Sequence, residues 1–236
     1  MSSAESLRER CVAEALAIVD AEGVEGLSLR EVARRLRVSH QAPYKHFASR
    51  DHLLAEIVSR AFQAFGAHLD ARPRVRRSRA GVGHAAADLA AMGRAYLDYA
   101  RLYPLQYRLM FGTPLPDPAA HPTMMASAQH AFAMLRDGLK RMHAEEGRVA
   151  GSNAIDRDAL FVWAALHGMA SIGHAPALER LGLSASLLAG AESHGLARIG
   201  DALADRRAGT AVGGTASREV AKAVASRRSV RRPRAG

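Results

Sequence analysis

Apolar positions recur along this chain at the three-and-four spacing of helices, and no stretch shows the strict alternation of a half-buried strand. Val12, Ala15, Leu16 and Val19 fall at i, i+3, i+4 and i+7, which predicts a first helix that Gly23 ends by adopting a left-handed conformation. Leu29, Val32, Ala33 and Leu36 repeat that spacing over a short second helix. Ser28 stands at its N-cap with Glu31 three places on, the sequence form of a capping box. Arg37-Val38 makes a tight connection, and Ser39 is placed to cap a third helix running through HQAPYKHF, where Pro43 deletes only the first intrahelical bond. A fourth helix starts near Arg50 and gathers Leu54, Ile57, Val58, Ala61, Phe65 and Leu69 on one side.

Further helical stretches are predicted at 84–103, 104–111, 119–146, 154–175 and 184–205, punctuated by Pro104, Pro114-Leu115-Pro116, Gly147 with Gly151, and Pro176 with Gly182. The fold class read from this pattern is all-α. Composition agrees, because 48% of the residues are hydrophobic but only 5% are aromatic, and alanine dominates the apolar set. The longest apolar run, Ala159 to Leu166, is far short of the roughly 20 residues a bilayer crossing needs. The amino terminus MSSAESLRER lacks the apolar core of a secretory signal, so the expected location is the cytoplasm, with no membrane partner. Cys11 is the single cysteine and no Cys/His set has zinc spacing. No metal and no cofactor is expected, and no phosphate loop, dinucleotide fingerprint or nucleophile elbow offers catalysis a foothold.

The formal charge of +10 changes meaning once it is located. Residues 206–236 carry nine Lys/Arg against the single acid Glu219, so they read as a basic tail with too little apolar material to pack. Residues 71–83 hold five arginines and no acid, marking an exposed connection. The local signal is stronger. Between Arg30 and Arg50 stand six bases against Glu31 alone, while the first helix carries Glu5, Glu9, Glu14, Asp20 and Glu22. Two short helices joined by a tight turn, with bases on one side, have the size of a helix-turn-helix. Near the start of its third helix, His40 and Gln41 are placed to reach base edges, Gln being suited to paired bonds with adenine. Tyr44, Lys45 and Arg50 suit phosphate oxygens, and Ser28, Arg30 and Ser39 complete the expected DNA-facing set. A solvated basic face on an ordinary helical hairpin is the plainer alternative.

The segment AIVDAEGVEGLSLREVARRLRVSHQAPYKHFASRDHLL resembles the amino-terminal DNA-binding domain of the TetR-type transcriptional regulators over about residues 10–58. The resemblance implies backbone contacts from Tyr44, Lys45 and Arg50, base reading by His40 and Gln41, and a core role for Phe47. Pro43 departs from the usual apolar helix former and Arg50 from the usual lysine. Farther on, ARLYPLQYRLMFG and FVWAALHGMASI are similar to the subgroup named for a Trp-His-Gly pattern, here Trp163, His167 and Gly168. That likeness implies a homodimer through the last two helices, with Ala164, Gly168 and Ser171 facing a partner helix that bears Leu188, Leu196 and Ile199. Packing of the same residues within one chain is the alternative.

Methionines and aromatics between these helices, Met92, Tyr96, Tyr99, Tyr103, Tyr107, Met110, Met125 and Trp163 together with His167, can line a pocket for an apolar or aromatic effector. The same spacing also suits plain core. The expected organisation is a helix-turn-helix domain at 1–50, a helical ligand-binding and dimerisation domain at 51–205, and the tail at 206–236. The function read from this is a repressor that binds a palindromic operator on double-stranded DNA as a dimer and is released by a small molecule. A ligand-independent regulator of the same fold is the alternative, and a metal- or cofactor-dependent helical enzyme would need ligand clusters that the sequence lacks.

Overall fold

The structure, a computed structural model, describes residues 6–72, 83–112, 114–148, 151–173 and 178–204. The basic tail and most of the 71–83 connection lie outside these residues. Among them, all regular structure is helical. The α-helices are α1 (Leu7–Glu22), α2 (Leu29–Arg35), α3 (Arg50–Ala71), α4 (His84–Leu102), α5 (Pro104–Phe111), α6 (Pro122–Glu145), α7 (Ser152–Gly173) and α8 (Ala185–Ala204), with short 3-10 turns at Val24–Gly26, Pro43–Lys45 and Leu178–Leu181.

Each of the first three helices is started by a serine. The hydroxyls of Ser6, Ser28 and Ser49 accept the backbone N–H of Glu9, Glu31 and His52 at 3.1–3.3 Å, satisfying one orphan donor apiece. The capping box at Ser28 is half made, because the Glu31 carboxylate turns outward to hold Arg34 and Arg35 instead of returning to the Ser28 N–H. α5 and α6 open with proline, whose missing N–H is an orphan at that position anyway. α4 has only Gly83 at its N-cap, and the Glu145 carboxylate of α6 accepts the Ala85 N–H at 2.8 Å in its place.

The expected third helix through HQAPYKHF does not form. A turn at 40–42 leads into the 3-10 turn Pro43–Lys45. Pro43 cannot donate to the Ser39 carbonyl and its ring crowds that oxygen, so Ser39 takes the Ala42 N–H at 2.9 Å, one residue short of an α-helical step. The N–H groups of His46 and Phe47 then converge on the Pro43 carbonyl, both at 3.0 Å.

α1, α2, the turn and the first half of α3 form a head around Ile18, Val32, Phe47 and Leu53. α3 continues into the body, where it packs on α5 and α6. α4 and α6 enclose the body from the other side, and α7 and α8 cover α4. Charged pairs fasten the head to its long helix: Arg60 binds Glu9 at 2.5 and 2.8 Å, while Arg8 binds Glu56 at 2.9 Å and lies 5.4 Å above the Phe47 ring. The Arg60 bond holds the Glu9 carboxyl down to about 2.

Candidate functional site: a nucleic-acid face and an apolar cavity

On the head, Ser39, His40, Gln41, Tyr44 and Lys45 lie together on one exposed turn, with Arg30 exposed on α2. The positions are fixed from behind by Pro43 and Phe47, both buried. Two members of the expected set are otherwise engaged. The Ser28 hydroxyl is spent on its cap. Arg50, whose side chain is partly exposed, donates from Nε to the Leu27 carbonyl at 3.0 Å and from Nη2 to the Val24 carbonyl at 2.6 Å and pairs through Nη1 with Asp51 at 3.3 Å, so its head braces the α1–α2 loop. Arg34 and Arg35 are likewise taken up by Glu31, and Arg35 also reaches Glu14 and Glu22 on α1. The cations of this region that make no ion pair with a described residue are therefore Arg30, Arg37 and Lys45. Arg37 is absent from the expected set, and its charge was the available signal. It has φ +54, and Val38 donates back to the Ala33 carbonyl at 3.1 Å, closing α2 in the manner usually left to glycine.

In the body, α3, α4, α5, α6 and α7 surround a cavity of about 480 Å³. Of the residues expected to bind a ligand, Met92, Tyr96, Met110, Met125 and Trp163 stand along its wall. Tyr99 does not, because its ring is locked against Phe65 and its hydroxyl donates to the Ala61 carbonyl at 3.2 Å. Tyr103 is 43% exposed at the α4–α5 corner, outside the cavity. Tyr107 and His167 stand behind the wall: Tyr107 Oη lies 3.1 Å from Tyr96 Oη and 2.7 Å from His167 Nδ1. Burial pushes the Tyr96 and Tyr107 phenols up, so this pair of hydroxyls is uncharged at neutral pH. Sequence reasoning missed Phe62 and Leu69 of α3, Phe132 of α6 and Leu160 and Leu166 of α7 as lining residues. Helical spacing marks such residues as inward-facing but cannot distinguish a cavity wall from a filled core.

Of the expected partner-facing residues, Ala164 and Ser171 are exposed and Gly168 is half-buried, with nothing within 4 Å of the place a Cβ would take. Leu188 is half-buried. Leu196 and Ile199 point the other way. Leu196 Cδ2 lies 2.7 Å from the Cβ position of Gly93 on α4, and Ile199 is 9% exposed, so both fasten α8 to its own chain. Leu160 (54%), Phe161 and Ile172 extend the exposed apolar face of α7.

An all-helical head that presents a polar turn, joined by one long helix to a helical body, has the layout of a helix-turn-helix regulator with a helical C-terminal domain. Residues 12–57 match the family described as "Bacterial regulatory proteins, tetR family", and residues 89–189 match "Tetracyclin repressor-like, C-terminal domain". These matches together span more than half of the sequence, and the chain belongs to the TetR family of DNA-binding transcriptional regulators. The C-terminal description carries no Trp-His-Gly name. Among solved structures, the chain is similar to a protein of unknown function from Rhodococcus sp. RHA1, with 27% identity, TM-score 0.61, and coverage of 82% of this chain and 95% of that one. It is also similar in fold to a regulatory protein in the tetR family from Rhodococcus RHA1, at 17% identity and TM-score 0.60 over 83% of this chain and 98% of the other. The TetR-family regulator PfmR from Thermus thermophilus shares the fold at 20% identity and TM-score 0.54, with 83% and 97% covered. No functionally curated protein matches the sequence. Among the described residues, no helix is long and apolar enough to cross a membrane, and no group of three or more His, Cys, Asp or Glu residues is placed to hold a metal.

Proposed function

We propose that this regulator is a cytoplasmic homodimeric repressor that grips a palindromic operator through residues 1–50 and releases it when a small apolar or aromatic molecule enters the cavity of residues 51–205. The observation that carries this reading is the cavity itself: about 480 Å³ of space walled by apolar side chains, inside a regulator whose α3 runs from the cavity into the head. Met110 and Phe111 line it from α5, and on the same helix Arg108 lies 3.7 Å from Asp20 of α1. A ligand that displaces α5 therefore acts on the head through both α3 and α1, favouring one spacing of the two heads over another. His40 and Gln41 read base edges while Arg30, Arg37, Ser39, Tyr44 and Lys45 hold phosphates. The exposed face around Ala164, Gly168 and Ser171 is the surface that a second copy covers, with Trp163, His167 and Gly168 as the Trp-His-Gly pattern of its subgroup.

A footprint on DNA flanking the protein's own coding region supplies the operator. On that site Gln41→Ala costs about 1–3 kcal/mol and relaxes preference at one base pair, whereas Lys45→Ala weakens all sequences alike and lowers the salt slope by about one. Gly168→Leu, whose Cβ meets nothing within 4 Å in the free chain, leaves folded monomers in sedimentation. A dimeric Gly168→Leu with native affinity places the interface elsewhere, and a footprint indifferent to every apolar compound removes the effector.

A further inference from the structure

Among the described residues, the wall of the 480 Å³ cavity carries no charged side chain, and only Tyr96 on α4 and Trp163 on α7 bring an O–H or N–H to it. The other side chains are hydrocarbon, thioether and aromatic ring. An ion entering such a space leaves its hydration behind with nothing to replace it, so the cavity selects an uncharged molecule. Rings from four helices border the space. Phe62 and Phe111 meet edge to face at 5.8 Å, and Phe132 and Trp163 do the same at 5.8 Å. Edges and faces presented in this way suit an aromatic guest.

The two polar groups belong to a line of hydrogen bonds that has a direction. Trp163 bonds to Tyr96, and an indole N–H can only donate, so the Tyr96 oxygen accepts. Tyr96 Oη lies 3.1 Å from Tyr107 Oη, which lies 2.7 Å from His167 Nδ1 and is also bonded by Ser171. Each proton is used once when Trp163 donates to Tyr96, Tyr96 to Tyr107, and Tyr107 to an Nδ1 that carries none. The reverse order brings two donors onto Tyr96 and leaves its own proton unused in an apolar space. The protons therefore run outward from the cavity to α7. A phenol oxygen accepts two bonds and Trp163 supplies one, so a single acceptor position remains on Tyr96 at the cavity wall.

Resting on the effector reading above, we propose that the molecule this protein senses is an uncharged aromatic compound of the phenol type, its ring among the cavity's aromatics and its O–H donated to Tyr96. Burial of the ring supplies affinity, and the vacant acceptor on Tyr96 supplies preference for a donor. An ether of the same size brings a second acceptor to a wall whose protons are already engaged.

4-Propylphenol, 4-propylanisole, propylbenzene and 4-propylbenzoate at neutral pH test the assignment. Trp163 is the single tryptophan and lines the cavity, so its emission, excited beyond the absorption of the phenol ring, reports occupancy. The phenol is expected to bind about three- to tenfold tighter than its methyl ether, the worth of one neutral hydrogen bond, with the benzoate weakest. In Tyr96→Phe the phenol falls to the affinity of the ether, while ether and hydrocarbon are unchanged. Tyr107→Phe keeps the Tyr96 hydroxyl but removes the oxygen that takes its proton, so the ether rises to the affinity of the phenol. An ether as tight as the phenol in the unaltered protein, or a phenol preference that survives Tyr96→Phe, overturns the donor assignment while leaving the cavity an effector site. Benzoate as the tightest ligand overturns the uncharged assignment. Failure of all four compounds to perturb Trp163 overturns the effector reading itself.

Discussion

In the head, Ile18, Val32 and Leu53 pack without exposure and the rim is tied by arginine–carboxylate pairs, whereas the body arranges a similar set of apolar side chains around about 480 Å³ of empty space. Dense packing holds a small turn in one geometry so that a few exposed side chains keep their register. Incomplete packing gives up dispersion energy and leaves room for a molecule that restores it. A sensor needs both, and α3 belongs to both: Leu53 and Ile57 serve the head, Phe62 and Phe65 the cavity.

The largest effect that sharpens this contrast comes from truncating one residue on each side. Leu53→Ala in the head costs about 2–5 kcal/mol and Phe65→Ala in the cavity wall about 3–5 kcal/mol. Phe65 is buried and meets Tyr96 and Tyr99 edge-on at 5.2 and 5.1 Å, so its loss enlarges the existing cavity. Urea unfolding measures both losses. An apolar ligand should recover stability in Phe65→Ala and leave the Leu53→Ala deficit unchanged. Equal recovery in both variants would show that the head, too, has room to fill.

Arg50 comes next. If its guanidinium is a brace for the Val24–Leu27 loop, Arg50→Ala destabilises the DNA-free protein by about 0.5–1.5 kcal/mol, because the Leu27 and Val24 carbonyls lose their part-buried donor. Arg50→Lys recovers only part of this, since one ammonium cannot reproduce the two-carbonyl fork. A variant with native thermal stability and weakened DNA binding would return Arg50 to the phosphate contacts.

Head and body should also fail at opposite ends of the pH scale. Glu9 and Glu31 are held at about 2 by arginine hydrogen bonds, against 4.5 when free. Their depressed values contribute stability that is present above pH 4.5 and lost as pH falls towards 2. Burial pushes Tyr99 up to about 12 from 10, so its contribution is present below pH 10 and lost as pH rises through 12. Arg60→Met should remove the Glu9 part of the acid limb, leaving the Glu31 part that Arg34 and Arg35 hold, and leave the alkaline limb alone, read by circular dichroism and by Trp163 emission. If Arg60→Met moves both limbs together, the two regions unfold as a single electrostatic unit.

Helix spans were legible wherever spacing and punctuation agreed: the expected 104–111 is α5, and Gly23 ends α1 at positive φ, although its ψ of 178 is extended and not the expected left-handed value. Pro43 defeated the same reasoning, because the tolerance of proline near a cap is a statement about average helices and the shortened approach to the Ser39 carbonyl is particular to this turn. Roles that depend on partners far along the chain could not be read. Arg50 finds carbonyls more than twenty residues earlier, and Leu196 finds Gly93 on α4, where the missing Cβ leaves it room. Phe62 and Phe65 share a face with Leu69 in the sequence, yet whether that face meets atoms or space is decided by α4 to α7.

The smallest effect concerns Arg37, where the head departs from its own economy. Its φ of +54 costs roughly 1 kcal/mol for a residue with a Cβ, and glycine removes that strain while adding freedom to the unfolded chain. The two terms oppose, so Arg37→Gly is expected to stabilise the DNA-free protein by no more than about 0.5–1 kcal/mol. Binding should move the other way. Arg37 is an exposed cation that makes no ion pair with a described residue, so its loss weakens operator and scrambled DNA alike and lowers the salt slope by about one. Denaturant midpoints and salt-dependent titrations on one protein preparation measure both. A variant that is more stable and equally tight would mean that the left-handed turn serves the chain alone. One that is less stable would mean that the arginine stem packs on α2 by more than its strain costs.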